Sequence, residues 1–198
     1  MDKKDYNILI VGVGGQGNIL AGKLLSEAFV AAGYDVKQSE VHGMAQRGGA
    51  VSSHVRAGEK IYSPLIPEES ADYVLSFEQL ETLRYLNYFS SGTVAIINML
   101  RHDPPSVAIG KQEYPADVFE RIAVKTRKII KVDANKVAKE IGTERVANSV
   151  LLGVLAANLP ISKNIWTGMY KKFVKEKLVE INVKAFNAGR NIVETAGV

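Results

Sequence analysis

The stretch Tyr6-Asn7-Ile8-Leu9-Ile10-Val11-Gly12-Val13-Gly14-Gly15-Gln16-Gly17-Asn18 runs from apolar residues straight into a glycine-rich turn. An Ile- and Val-rich run ended by Gly12 predicts a strand buried on both faces, as in a parallel sheet. Helix-spaced apolar residues follow over Asn18 to Ala32 (Leu20, Leu24, Leu25, Ala28, Phe29), and Gly33 stops them. Gly12-Val13-Gly14-Gly15-Gln16-Gly17 therefore satisfies GxGxxG at a strand-to-helix junction, the context that gives the pattern physical meaning. Such glycines let the backbone turn tightly and approach a phosphate, while the helix N-terminus offers free N–H groups and partial positive charge to an anion. They would equally serve close strand–helix packing with no ligand at all. Both readings stand at this point.

Downstream, Tyr34 to Val41 reads as a second strand, polar through Lys37, Gln38, Ser39 and Glu40. A dinucleotide site wants an acidic residue there, roughly 20 residues past the glycines, and Glu40 is close to that spacing. Val51 to Ala57 alternates, with Val51, Ser53, Val55 and Ala57 on one face and Ser52, His54 and Arg56 on the other. Gly58-Glu59-Lys60 reads as a turn and Ile61-Tyr62 as a short strand after it. Asp72 to Phe77 predicts a strand, Glu78 to about Tyr88 a helix, Ser91-Gly92 a turn, and Thr93 to Ile97 a strand ending at Asn98. Arg101 to Tyr114 reads as loop, with room for a short strand, and Lys128 to Val132 as the last strand. From Asp133 the chain reads as helix, interrupted at Gly142 and Pro160. Val146 to Leu159 is apolar all round, which suits a core helix or one meeting another backbone at Ala147, Gly153, Ala156 and Ala157. Tyr170 to Ile192 reads as one amphipathic helix whose Lys171, Lys172, Lys175 and Lys177 form a solvated face or a docking site for an acidic partner. Strands alternating with helices define an α/β class: a Rossmann-like, mostly parallel sheet with flanking helices and a helical C-terminal segment, in a single domain over residues 1–198.

Composition bounds the function. The chain has 198 residues, 46% of them hydrophobic, and a net charge of +4 from 25 basic and 21 acidic residues. That is an ordinary globular composition, and too weakly basic to argue for nucleic acid. With no cysteine, the chain has no disulfide, thiol nucleophile or cysteine-ligated iron–sulfur cluster of its own. Met1-Asp2-Lys3-Lys4-Asp5 lacks the apolar core of a signal peptide, and Val146 to Leu159 is too short and too polar to span a bilayer. A cytoplasmic protein is expected, with no membrane or nucleic-acid partner. His42, His54 and His102 show no zinc-ligand spacing, so no metal site is expected; there is no P-loop, nucleophile elbow or magnesium–thiamine diphosphate motif.

The segment Glu40-Val41-His42-Gly43-Met44-Ala45-Gln46-Arg47-Gly48-Gly49 carries the chemistry. Ligands of open α/β sheets bind beyond the carboxyl ends of the strands, where this segment and the glycine loop both belong. Glu40 and His42 can serve as base and proton shuttle, Arg47 as an anion clamp, and Gly48-Gly49 as a close backbone approach. Glu40, His42 and Arg47 are the catalytic candidates. Gly12, Gly14, Gly15, Gln16, Gly17, Arg47, Gly48 and Gly49 are the candidate cofactor-binding residues. His54 and Arg56 could extend the patch, while Glu78 and Asn98, at strand ends, read first as caps.

Together these motifs resemble the gamma subunits and domains of the 2-oxoacid:ferredoxin oxidoreductases. The glycine loop matches the family's first signature and Glu40 to Gly49 its second, in the His-Gly-Met-Ala-Gln form of the indolepyruvate branch. Ile61-Tyr62-Ser63-Pro64-Leu65-Ile66, Ala71-Asp72, Glu78 and Asn98 follow in family order, and Asn182-Val183-Lys184-Ala185-Phe186-Asn187-Ala188-Gly189 resembles its C-terminal signature. The resemblance implies oxidative decarboxylation of a 2-oxoacid, with coenzyme A accepting the acyl group and ferredoxin the electrons. It implies thiamine diphosphate, magnesium and 4Fe-4S clusters on a larger alpha subunit, and no cofactor held by this chain. A nucleotide-binding regulatory or scaffold protein without a catalytic role is the competing expectation.

Overall fold

The computed structural model describes residues 4–42 and 49–196. Six strands, β1 (Tyr6–Val13), β2 (Asp35–His42), β3 (Ala50–Gly58), β4 (Ala71–Ser76), β5 (Phe89–Asn98) and β6 (Ile129–Val132), form one sheet in the order β2-β3-β1-β4-β5-β6. Strands β1, β4, β5 and β6 pair in parallel, while β3 runs antiparallel to both of its neighbours, β1 and β2. Five strands thus share one direction and β3 opposes them.

Helix α1 (Asn18–Ala31) crosses from β1 to β2, and α2 (Gln79–Arg84) with a 3-10 turn at Leu86–Tyr88 leads from β4 to β5. Two short helices, α3 (Pro105–Ala108) and α4 (Val118–Lys125), precede β6. Then come α5 (Ala134–Ile141), a 3-10 turn at Glu144–Val146, α6 (Ala147–Ala157), α7 (Lys163–Phe173) and α8 (Glu176–Ala196).

The continuous apolar character of β1 has a direct physical use. Ile8 and Ile10 face the larger core, with Leu24, Leu25, Phe29, Leu151, Leu155, Trp166 and Phe186, and Leu9 and Val11 face a smaller one with Ile66, Val74, Ile97 and Ile122. Removing apolar surface on both faces of one strand is the dominant stabilising term here. Helix α6 is apolar all round because it is sandwiched in the larger core, with every residue from Asn148 to Ala156 buried. The backbone that packs against it is the chain's own α8. A Cβ at Gly153 would strike the Phe186 carbonyl, and one at Gly189 the Val150 carbonyl, so the two helices meet backbone to backbone. Asn182 of α8 accepts from the buried Ser149 hydroxyl at 2.8 Å. Much of the C-terminal signature is thus helix-packing chemistry.

Several expected elements differ. Ile61-Tyr62 is not a strand: Ile61 is buried and donates its N–H to Asp35 Oδ2 at 2.8 Å, while Tyr62 is exposed. Ser91-Gly92 is not a turn but lies within β5, whose pairing with β4 shifts register between Ala71 and Tyr73. The helix after Glu78 is shorter than expected, and Arg101 to Tyr114 holds α3 rather than a strand. Helix α4 has no signature in the sequence, its buried Val118 and Ile122 being too few to set a period. Tyr170 to Ile192 is two helices, because Val174 adopts extended backbone (φ −106°, ψ 142°) with no Gly or Pro to announce it. Lys172 lies 3.6 Å from Glu27 and covers the Phe173 ring, as a surface helix requires.

Gly153→Ala and Gly189→Ala should each lower unfolding free energy by roughly 2–3 kcal/mol, the upper range of overpacking. Gly168→Ala, in α7 where an added Cβ meets nothing within 4 Å, should instead stabilise by about 0.5–1 kcal/mol. Urea denaturation of the three variants checks both signs.

Candidate functional site

The carboxyl end of β1 turns on the glycines, and each has its own reason. A Cβ at Gly12 would lie 2.7 Å from Gln16 Oε1, 2.8 Å from Phe77 Cβ and 2.9 Å from Asn18 Oδ1, so the strand end admits no side chain. Gly15 (φ 100°) and Gly17 (φ 89°) adopt left-handed backbone that other residues enter only with strain. Gln16 closes the turn on itself: its Oε1 accepts from Val13 N–H at 2.8 Å and its own N–H donates to the Val13 carbonyl at 3.2 Å. Asn18 Nδ2 donates to that same carbonyl at 3.1 Å, leaving its buried Oδ1 unpartnered among the described residues. Among the described residues no side chain caps the N-terminus of α1, and its first turn holds no acidic residue. Such a helix end carries partial positive charge.

The two sequence signatures meet at this turn. Gly14 N–H donates to the Gly49 carbonyl at 2.9 Å, and the register continues inward as Val13 opposite Ala50 and Gly12 opposite Val51. Glu40 lies in β2 opposite Ser53 and accepts from Gln38 Nε2 at 2.9 Å. Arg47, Gly48 and the side chain of His42 lie outside the described residues.

On the other side of the glycine loop opens a cleft of about 370 Å³. Gly15, Gln16 and Gly17 form one wall, Phe77 and Asn98 the floor at the ends of β4 and β5, and Asn135, Arg145 and Asn148 the far side. Asn148 Nδ2 packs so closely on Gly17 that a Cβ there would sit 2.6 Å away. Arg145 and Glu144, both exposed, bring one charge of each sign to the rim. Asn98 is fully engaged: its Nδ2 donates to the Phe77 carbonyl and to Asn135 Oδ1, and its Oδ1 accepts from Ala134 N–H. It ties β5 to the start of α5 and so shapes the cleft. Asn135, Arg145 and Asn148 carried no motif in the sequence; only the return of α5 and α6 to the sheet brings them here.

Glu78 is a cap, and more. Its Oε2 accepts from Glu81 N–H at 2.9 Å, while Oε1 accepts from Tyr114 Oη–H at 2.7 Å and His102 N–H at 3.1 Å. One buried carboxylate thereby pins the 101–114 segment against the end of β4. Burial, then the Glu78 carboxylate, pushes the Tyr114 hydroxyl above its usual range. Burial also raises the Glu81 carboxyl, against the opposing Arg84 guanidinium.

His54 and Arg56 do share a strand face but do not extend the patch. His54 Nδ1 accepts from Ile66 N–H at 3.2 Å, with its ring edge-on to Tyr88. Arg56 donates to Asn7 Oδ1 at 2.8 Å and to the Ser63 carbonyl at 3.1 Å. Both residues fasten the 59–70 segment to the sheet. The dinucleotide geometry also falls away. In such sites the acidic strand neighbours β1, but here β3 intervenes, placing β2 about 10 Å from β1 at normal strand spacing.

Among the described residues no group of three or more His, Asp or Glu could hold a metal ion, and no helix is long and apolar enough to cross a membrane.

An α/β sheet with a glycine turn at the end of its first strand and a neighbouring cleft defines a domain of doubly wound type. The sequence matches the family described as pyruvate ferredoxin/flavodoxin oxidoreductase over residues 7–192, and the chain belongs to that family. It is 40% identical to the indolepyruvate oxidoreductase subunit IorB of Pyrococcus horikoshii and to that of Thermococcus kodakarensis, in each case over 94% of this chain and 95% of the relative. A crystal structure of a keto/oxoacid ferredoxin oxidoreductase gamma subunit from Geobacter sulfurreducens superposes with a TM-score of 0.70 at 27% identity, covering 96% of this chain and 99% of that one. The chain is thus a subunit homologue within the 2-oxoacid ferredoxin oxidoreductases.

Burial holds the His54 pKa below its ordinary 6.5. The unfolded chain then takes up the proton first, so stability falls as pH drops below about 6.5 toward the lower folded-state value. The melting temperature measured from pH 7 to pH 5 should decline, and His54→Asn should flatten that slope.

Proposed function

We propose that this chain is the cofactor-free subunit of a 2-oxoacid:ferredoxin oxidoreductase acting on indolepyruvate or a related aryl pyruvate. Its glycine-loop cleft receives an anionic group of coenzyme A, the acyl acceptor. The observation carrying this reading is the Gly14–Gly49 hydrogen bond, which joins the glycine turn to the Glu40–Gly49 segment beside the uncapped end of α1. Similarity to IorB subunits along nearly the whole chain supports the substrate class.

Thiamine diphosphate with magnesium and the 4Fe-4S clusters sit on the larger alpha subunit in this reading, and ferredoxin takes the electrons in the cytoplasm. This chain has no cysteine to ligate a cluster. Its own part is to bind and orient. Backbone N–H groups at the start of α1, Arg145 and Arg47 meet the anionic group, and Asn148 holds the turn. Glu40 and His42 orient the segment leading to Arg47. Ile19, Val41 and Met99 are exposed apolar residues at this edge, as suits a surface covered by the partner.

In the assembled complex, Arg145→Ala should raise the KM for coenzyme A by about tenfold, the worth of one charge-assisted hydrogen bond, and leave the KM for the 2-oxoacid unaltered. Arg47→Ala should slow turnover most at limiting coenzyme A. If both variants match the parent at saturating and at limiting coenzyme A, the cleft does not take that ligand. Tight binding of NAD or AMP to the chain without a partner would favour a nucleotide-binding regulator.

A further inference from the structure

Strand β2 is more polar than its place at the sheet edge requires, and its polar residues are connected. Gln38 and Glu40, two apart, share the face lying under α1. Ser26, buried on α1, donates its hydroxyl proton to Gln38 Oε1 at 2.8 Å, and Gln38 Nε2 donates to Glu40 Oε1 at 2.9 Å. The direction of this chain is set by chemistry. An ionised carboxylate only accepts, so the amide must turn its NH2 to Glu40, which leaves its oxygen for the Ser26 hydroxyl. Two neutral dipoles are thereby aligned on one carboxylate.

Room for the amide comes from a glycine in mid-helix. A Cβ at Gly22 would lie 2.9 Å from Gln38 Nε2, and 3.6 Å from both Cβ and Oγ of Ser53. Gly22 is not among the glycines with positive φ. Glycine in a helix interior costs stability relative to alanine, so at Gly22 the seat for the amide is its compensation. The same helix begins at the glycine turn, and its third turn grips the residue behind Glu40.

We propose that Gln38, seated by Ser26 and Gly22, is a positioning residue for Glu40, holding its carboxylate in place two residues before the end of β2. The inference rests on the reading that Glu40 orients the segment leading to Arg47 for coenzyme A.

The test uses the assembled complex carrying Gln38→Met, which keeps the length and loses both hydrogen bonds, together with Glu40→Gln, their double variant, and Ser26→Ala. Gln38→Met should raise the KM for coenzyme A about five- to tenfold with less than a twofold change in kcat. The double variant should be no worse than Glu40→Gln alone, since both substitutions act through one carboxylate. Ser26→Ala should show the same split at smaller amplitude, and serves if Gln38→Met fails to fold. A silent Gln38→Met beside an impaired Glu40→Gln, or effects of the two that multiply, overturns the positioning role alone. A silent Glu40→Gln overturns the reading of Glu40 and this inference with it.

Discussion

Strand β1 is hydrogen-bonded on both sides and buried on both faces, and each side fixes one half of the site. On one edge β3 pairs antiparallel from Tyr6 through Val13, and the ladder ends in the Gly14–Gly49 hydrogen bond that brings the second signature to the first. On the other edge β4 pairs in parallel, and Phe77 N–H donates to the Val11 carbonyl just where β4 turns off the sheet. That parting of β1 and β4 leaves the crevice in which the cleft lies, as expected where strand connections diverge in an open sheet. Sliding β1 by one residue would move Ile8 and Ile10 from the larger core to the smaller and displace the glycine turn with them.

The glycines divide by physical cause. Gly12 is needed because side chains already occupy its Cβ position, and Gly17 because its backbone is left-handed and Asn148 sits against it. Gly153 and Gly189 let two helices touch through their backbones, which stabilises the wall that carries Asn148 to the cleft. Gly22 makes room for one amide. A shared composition thus serves turn geometry, helix packing and the support of a single carboxylate.

Glu78 and Asn98 occupy the ends of neighbouring strands and spend their polar atoms on the protein itself. A buried carboxylate with three donors and a buried amide with three partners are satisfied groups, so their value is in holding the loops around the cleft. The capping role of Glu78 was legible from its place at a strand end followed by a helix. The partners Tyr114, His102 and Asn135 were not, because hydrogen bonds across 24 to 37 residues leave no local pattern.

The sequence by itself determined the α/β class, the strand-to-helix glycine turn and the family to which the two signatures point. These rest on local periodicity and on glycine chemistry, which act over a few residues. The tertiary structure alone decided that β3 separates β1 from β2, which removes Glu40 from a dinucleotide geometry and ties it through Gln38 to α1. It also decided that His54 and Arg56 hold the 59–70 segment and that Arg145 and Asn148 wall the cleft. Strand order and long-range partnership are set by which apolar faces can be buried together, a property of the whole chain that no short stretch encodes.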